Sequence, residues 1–103
     1  MAQAPRDSQN LKLVNHLKLI EDLWQKLYYV KWNPKSFAML ARLAQDMAQN
    51  AKGSDDERLL KLVVQFEQHV RHCATTGGLI GEADRQRLMA HIDALRFILV
   101  ISS

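Results

Sequence analysis

The sequence contains one cysteine and no long apolar run, and each of these scarcities excludes a class of protein. Cys73 has no second cysteine to pair with, so a disulfide within the chain is excluded and a reducing compartment is favoured. Residues 1–10 lack the apolar core of a signal peptide, and no apolar run approaches the ~20 residues that cross a bilayer. The sequence therefore predicts a cytoplasmic protein without a membrane partner.

Charge of one sign is also scarce. The chain carries 14 Lys and Arg against 11 Asp and Glu, a net charge of +3 that is interspersed rather than concentrated. Nucleic-acid-binding domains usually gather a stronger basic patch with aromatic or arginine readers, so no nucleic-acid partner is expected. With 103 residues the chain has the length of one domain.

Residues that start or end helices divide the chain into four helical segments behind a flexible N-terminus of residues 1–10. Asn33 and Pro34 suit the N-cap and the first position of the second helix. Ser54 and Glu57 form a capping-box pattern at the start of the third helix, and residues 75–78 form a flexible break before the fourth. The predicted helices cover residues 11–30, 34–52, 55–74 and 82–99.

Each segment places apolar residues at steps of three and four, the period of one helix face. The residues predicted to face inward are Leu13, Leu17, Ile20, Trp24, Leu27, Phe37, Leu40, Ala44, Met47, Ala51, Leu59, Leu62, Val63, Phe66, Val70, Cys73, Leu88, Ile92, Leu95 and Leu99. Four amphipathic helices joined by short loops predict an all-α protein, an antiparallel up-down four-helix bundle over residues 11–99.

The apolar run from Phe97 to Ile101 has two interpretations. It is either the buried last turn of the fourth helix or the first buried strand of a further domain. On the second interpretation, residues 100–103 form the junction to a domain downstream.

The first and fourth helices have more apolar surface than a bundle needs. Helix one is apolar over roughly half of its circumference, whereas packing on one side needs only about 100°. Aromatic residues at the end of helix one and apolar residues off the core face of helix four add to this surplus. They are Tyr28, Tyr29, Trp32, Phe97, Val100 and Ile101. The sequence predicts that these residues contact a second copy of the chain or a neighbouring domain. Tyr28, Tyr29 and Trp32 equally suit a second interpretation, a lid over the end of the bundle.

His69, His72 and Cys73 form the most metal-like cluster, since positions four apart share a helix face. A closed zinc site needs four ligands, and the sequence supplies no evident others. A cysteine nucleophile needs an oriented base, and neither histidine has an evident orienting carboxylate. The expectation is therefore no metal, no cofactor and no catalytic residue. An enzyme or metal protein that uses these three residues stays open as a third hypothesis.

The segment from Leu43 to Glu67 resembles the core of a histidine phosphotransfer (Hpt) domain. That family carries the motif Leu-Ala-His-x-Leu-Lys-Gly-Ser-Ala, then a loop, then Leu-x-x-Leu-Cys/Ala-x-x-Leu-Glu. Here residues 43–51 read Leu-Ala-Gln-Asp-Met-Ala-Gln-Asn-Ala, and the second part runs through Leu59, Leu62 and Phe66 without a gap. The match covers about a quarter of the chain.

Three departures from the Hpt motif change what the resemblance implies. The phospho-accepting histidine of the family falls on Gln45, whose amide nitrogen is not nucleophilic. The basic residue of the motif falls on Ala48, and its small glycine falls on Gln49. The resemblance therefore implies a degenerate Hpt domain that accepts no phosphate at Gln45, with Ala48, Gln49 and Lys52 as a docking surface.

Hpt domains in bacteria commonly lie inside larger signalling proteins, some of which have a diguanylate cyclase (GGDEF) output domain. The resemblance implies a non-catalytic regulatory module whose partner is a receiver-like or output domain. The alternative is a stand-alone helical adaptor or dimerisation protein that is unrelated to phosphorelay.

Overall fold

The four predicted helical segments form an antiparallel four-helix bundle, which confirms the predicted fold class. The computed structural model describes residues 4–53, 56–76 and 80–101, and the side chains of residues 11–53, 56–76 and 80–100. The helices are α1 (Ala4–Gln25), α2 (Pro34–Ala51), α3 (Glu57–Ala74) and α4 (Glu82–Arg96). Two π-helical turns continue α1 and α4, the first over Lys26–Val30 and the second over Phe97–Ile101.

Short connections make sequential helices neighbours. The helices form a bundle that is 45 Å long and 22 by 20 Å across. Each helix contacts the next along the chain, and α1 also contacts α4, so the four helices close into a ring. The described residues include no strand, and none of the helices among them is both long and apolar enough to cross a membrane.

The core consists of the predicted inward residues. All of them are buried except Leu62, which lies half-buried at the edge of the stripe on α3. Phe37 and Phe66 are the largest fully buried side chains, one on each helix of the α2–α3 hairpin. Burial at steps of three and four therefore fixes how each helix is turned, and Gln45 is exposed as this rotation requires.

The helix caps agree with the sequence at α2 and differ from it at α3. The side-chain oxygen of Asn33 accepts the backbone N–H of Lys35 at 2.8 Å, and Pro34 occupies the first helical position. The predicted capping box at Ser54 is wrong for α3, because Asp56 is the N-cap and Ser54 lies outside the described residues. The carboxylate of Asp56 accepts the backbone N–H groups of Arg58 and Leu59, at 3.0 and 3.2 Å. Helix α3 therefore begins two residues later than predicted.

Both ends of the α1–α4 pair depart from regular helix. The first π turn closes with the N–H of Lys31 donating to the carbonyl of Lys26 at 2.9 Å. The second π turn continues α4 with Leu99 buried, so residues 97–101 follow the helical interpretation rather than the strand. At the N-terminus, α1 begins at Ala4, seven residues before the predicted start. The flexibility predicted for residues 1–10 and the domain predicted beyond residue 103 both stay predictions.

Candidate functional site

A groove runs between α2 and α3 on the outside of the bundle, with a volume of about 770 Å³. Its walls are a second stripe on each helix, at the same three- and four-residue steps as the buried stripe. Gln45, on which the resemblance would place a phospho-accepting histidine, lies in this groove. So do Ala48, Gln49 and Lys52, the residues predicted as a docking surface. The structure therefore brings three positions of the motif, 45, 48 and 49, together with Lys52 on one surface.

Small side chains create the space in the groove. Alanine occupies positions 38, 41 and 48 on α2 and position 74 on α3. Ala41 and Ala48 are half-buried and pack against the core, so the groove floor lies directly over it. A larger side chain at either position would reduce the space in the groove.

A buried carboxylate marks the α3 side of the groove. Glu67 is only 9% exposed, yet it lies on a surface helix. Arg71, one turn later, donates from Nε to Oε1 of Glu67 at 3.0 Å and from its terminal nitrogen to Oε2. This two-bond pairing holds the carboxylate in place and raises the pKa of Arg71 through the hydrogen bond and the charge of Glu67.

The groove has more positive than negative charge. Arg42 and Lys52 extend from α2, and Arg71 extends from α3, whereas Glu67 is the acidic residue that lines it. The described lining thus has three cationic side chains against one carboxylate. Gln45 and Gln49 add amides that donate and accept hydrogen bonds. A surface of this composition is suited to binding an acidic partner.

A second polar cluster lies where α3 packs on α4. Nε2 of His69 and Oδ1 of Asp84 are 3.3 Å apart, and the donor atoms of His69, Cys73 and Asp84 all lie within 4.8 Å of one another. The sequence grouped His72 with this cluster, but His72 is exposed. Asp84 was missed because it is 15 residues from His69, and only the packing of α4 on α3 brings the two together.

Burial sets the protonation of this second cluster. Removal from water raises the pKa of the Cys73 thiol, and the charge of Asp84 raises it further. His91 on α4 stands with its ring 5.6 Å from that of His69, centroid to centroid. Burial lowers the pKa of His91, with smaller contributions from His69 and Arg87. The cluster therefore favours a neutral thiol and a neutral His91 imidazole.

Two of the three aromatic residues that follow α1 make side-chain contacts with α4. The hydroxyl of Tyr28 donates to Oε1 of Glu82 at 2.7 Å, and Nε2 of Gln86 donates to the Tyr28 oxygen at 3.0 Å. The guanidinium of Arg85 stacks on the ring of Trp32, 4.2 Å from its centroid. Tyr28 and Trp32 therefore tie the end of α1 to the start of α4, while Tyr29 remains 70% exposed.

The remaining residues of the predicted contact surface lie at the other end of α4. Phe97 and Val100 are 55% and 50% exposed, and the side chain of Ile101 lies outside the described residues. Phe97 follows Glu82 by 15 residues, which is about 22 Å of helix. The structure thus separates the predicted surface into an aromatic end near Tyr29 and an apolar end near Phe97.

Two features of the chain therefore stand out as sites, the groove that contains Gln45 and the cluster around His69. The first agrees with the Hpt resemblance in position, and the resemblance itself stays a prediction. No protein-family model, curated protein or solved structure matches the chain.

Proposed function

We propose that the chain is a non-catalytic, Hpt-like module that regulates or assembles a signalling protein by binding a protein partner in the α2–α3 groove. One observation carries the proposal. A single groove is lined by Gln45, Ala48 and Gln49, the three positions where the sequence departs from the Hpt motif, and by Lys52. The partner is a receiver-like domain with an acidic surface. The signalling protein is bacterial and cytoplasmic, and a diguanylate cyclase is one output that such a protein can carry.

The chemistry at Gln45 supports binding rather than phosphoryl transfer. An imidazole nitrogen accepts and returns a phosphoryl group, whereas the lone pair of an amide nitrogen is delocalised. Gln45 and Gln49 lie one turn apart on the exposed side of α2, where both amides can reach a partner. The site therefore keeps the position of a phosphotransfer surface and replaces its reaction with hydrogen bonding.

The charge of the groove supports an acidic partner. Arg42 and Lys52 are exposed cations on α2, and Arg71 keeps most of its side chain in solvent while it pairs with Glu67. Complementary charge at the rim of an interface mainly raises the association rate and selects the partner. Reversing these charges should therefore weaken binding without unfolding the bundle.

Calorimetry against a panel of receiver domains from the same organism tests the proposal. We expect at least one domain to bind, and no phosphate to pass to the chain from the phosphorylated form of that domain. The double variant Arg42→Glu/Lys52→Glu should weaken binding by at least ~10-fold. Lys12→Glu/Lys18→Glu, which reverses the same number of charges at two exposed lysines on α1, is the matched control and should leave binding unchanged.

Three outcomes would overturn the proposal. The first is the absence of binding to every receiver domain in the panel. The second is an equal loss of affinity in Lys12→Glu/Lys18→Glu and Arg42→Glu/Lys52→Glu, which would mean that general charge and not the groove attracts the partner. The third is acid-labile phosphate on the chain, which would restore a phosphorelay role. Label at His16, His69, His72 or His91 would also place the Hpt alignment in doubt.

Self-association is the second candidate function, and the apolar end of the bundle favours it. The second π turn contacts α1, and Phe97, Val100 and Leu11 are each at least half exposed in this part of the pair. Exposed apolar clusters of this kind usually mark contacts. A two-fold dimer through α1 and α4 would suit either the Hpt-like module or a helical adaptor unrelated to phosphorelay.

A further inference from the structure

We propose that His69, Cys73 and Asp84 bind a zinc ion that joins α3 to α4. The sequence offered no carboxylate for such a site, and the packing of α4 supplies it. His69 and Cys73 lie one turn apart on α3, and Asp84 lies in the first turn of α4. A metal at this point would bridge α3 and α4, the two helices that the longest connection in the bundle, residues 75–81, links.

The distances suit a tetrahedral ion. Zinc bonds of 2.0–2.3 Å place neighbouring donor atoms about 3.3–3.6 Å apart. Nε2 of His69 and Oδ1 of Asp84 are already 3.3 Å apart, and all three donor atoms lie within 4.8 Å of one another. The thiol of Cys73 therefore needs to move by about 1 Å to complete the triangle, within the reach of a side-chain rotation.

The donor set selects the metal. Imidazole nitrogen, thiolate sulfur and carboxylate oxygen are the three ligand types that zinc accepts, whereas calcium and magnesium take oxygen ligands. When the ion binds, the Sγ–H bond of Cys73 breaks, the thiolate sulfur coordinates the zinc, and the proton passes to the solvent. The His69–Asp84 contact is replaced by one bond from each residue to the ion.

The surroundings leave an entry path and a fourth position. The Asp84 side chain is 44% exposed, the His69 side chain is 14% exposed, and Cys73 is buried, so an ion reaches the thiol from the Asp84 side. The ring of His91 lies 5.6 Å from that of His69, centroid to centroid, but His91 is not one of the three residues whose donor atoms converge. The fourth position of a tetrahedral ion is therefore left to water.

Cobalt titration of the full chain, without a polyhistidine tag, tests the proposal. Cobalt(II) substitutes for zinc and reports a bound thiolate through a charge-transfer band in the near ultraviolet. We expect one equivalent of cobalt to give this band together with the strong visible bands of a four-coordinate site, and zinc to abolish both. Zinc should also raise the thermal unfolding midpoint, because it binds only the folded chain.

Variants assign the ligands. Cys73→Ser should lose the charge-transfer band, and Asp84→Asn should weaken metal binding by at least ~10-fold. His72→Gln, one residue from Cys73 and exposed, is the matched control and should bind as the parent does. The side chain of Asp84 is half-exposed, so the Asp84→Asn variant should keep the helical circular dichroism of the parent. A loss of metal affinity in this variant therefore reports ligation and not unfolding.

Two results would overturn the site. One is the absence of a charge-transfer band at saturating cobalt, which would leave Cys73 as a packed apolar side chain. The other is loss of binding in His72→Gln with no loss in Asp84→Asn, which would assign the metal to exposed histidines. Neither result bears on the α2–α3 groove, because none of its lining residues belongs to the cluster.

Discussion

The α2–α3 hairpin and the α1–α4 pair use the same bundle core but present different surfaces. On the hairpin, the side turned away from the core carries alanine, glutamine and mostly cationic side chains, and Met39 is the exposed apolar exception. The pair exposes Leu11, Leu19, Phe97 and Val100, and both π turns belong to it. In a ring of four helices, the α2–α3 edge lies opposite the α1–α4 edge.

This difference separates two kinds of contact. A polar groove lined by small and cationic residues favours a reversible, charge-selected partner. An apolar surplus favours a stable contact, either with a second copy or with a neighbouring domain. We therefore expect changes on one edge to leave the contact at the other edge intact.

The largest effect should come from the core that both edges share. Phe66→Ala should cost about 3–5 kcal/mol of unfolding free energy, because Phe66 is fully buried and leaves a cavity. Gln45→Ala should cost less than about 0.5 kcal/mol, as an exposed helix position. Urea denaturation measures both values. A loss of several kcal/mol at Gln45 would mean that α2 is turned differently.

The next effect concerns the α1–α4 edge. If the chain self-associates, Phe97→Lys should weaken the dimer by at least ~10-fold, because it buries an unpaired charge in an apolar contact. Tyr29→Lys should also weaken a dimer that extends to the aromatic end. Sedimentation equilibrium at micromolar concentration measures the association. A mass near 11.8 kDa throughout the range would exclude a stable dimer of this chain. Loss of helicity in either variant would place that side chain in the core.

A smaller effect should appear on the hairpin. Arg71→Ala leaves the Glu67 carboxylate buried without its cation, so it should lower the thermal unfolding midpoint. Lys61→Ala, an exposed lysine on the same helix, is the control and should change the midpoint less. Equal midpoints for the two variants would show that the Glu67–Arg71 pair does not stabilise the groove wall.

The smallest effect should occur where α1 meets α4. Hydrogen bonds from Gln86 and Tyr28 lower the pKa of Glu82 below its ordinary 4.5. Since the lowered pKa favours the ionised carboxylate in the folded state, this stability is present above about pH 4.5 and is lost as the pH falls through the lowered value. Tyr28→Phe removes one donor, so the pKa of Glu82 should rise in a nuclear magnetic resonance titration. Tyr29→Phe should leave it unchanged, and a rise there would contradict the hydrogen-bond assignment.

The hairpin was the more predictable half. The stripes of α2 and α3 follow from periodicity, and Asn33 with Pro34 gave the start of α2 because caps act through local atoms. The cap of α3 was misplaced because Ser54 and Asp56 both suit an N-cap, and a carboxylate is the more favourable acceptor at the positive end of a helix.

The α1–α4 pair was less predictable because its features depend on contacts between distant residues. Tyr28 and Trp32 looked available for a partner, yet residues more than 50 positions away in the sequence occupy them. The Asp84 carboxylate near His69 arises in the same way. Each π turn is only five residues long, which is too short for a periodic pattern of apolar residues to distinguish it from an α-helix. The sequence therefore did not indicate the π turns.

The most direct test of the account is to map the partner surface by nuclear magnetic resonance. A receiver domain that binds is added to ¹⁵N-labelled chain, and the side-chain amide signals of Gln45 and Gln49 are followed. We expect these two signals and the backbone amide of Lys52 to shift most, while the signals of Phe97 and Val100 stay in place. If the largest shifts fall on α1 and the second π turn instead, the groove is not the binding site.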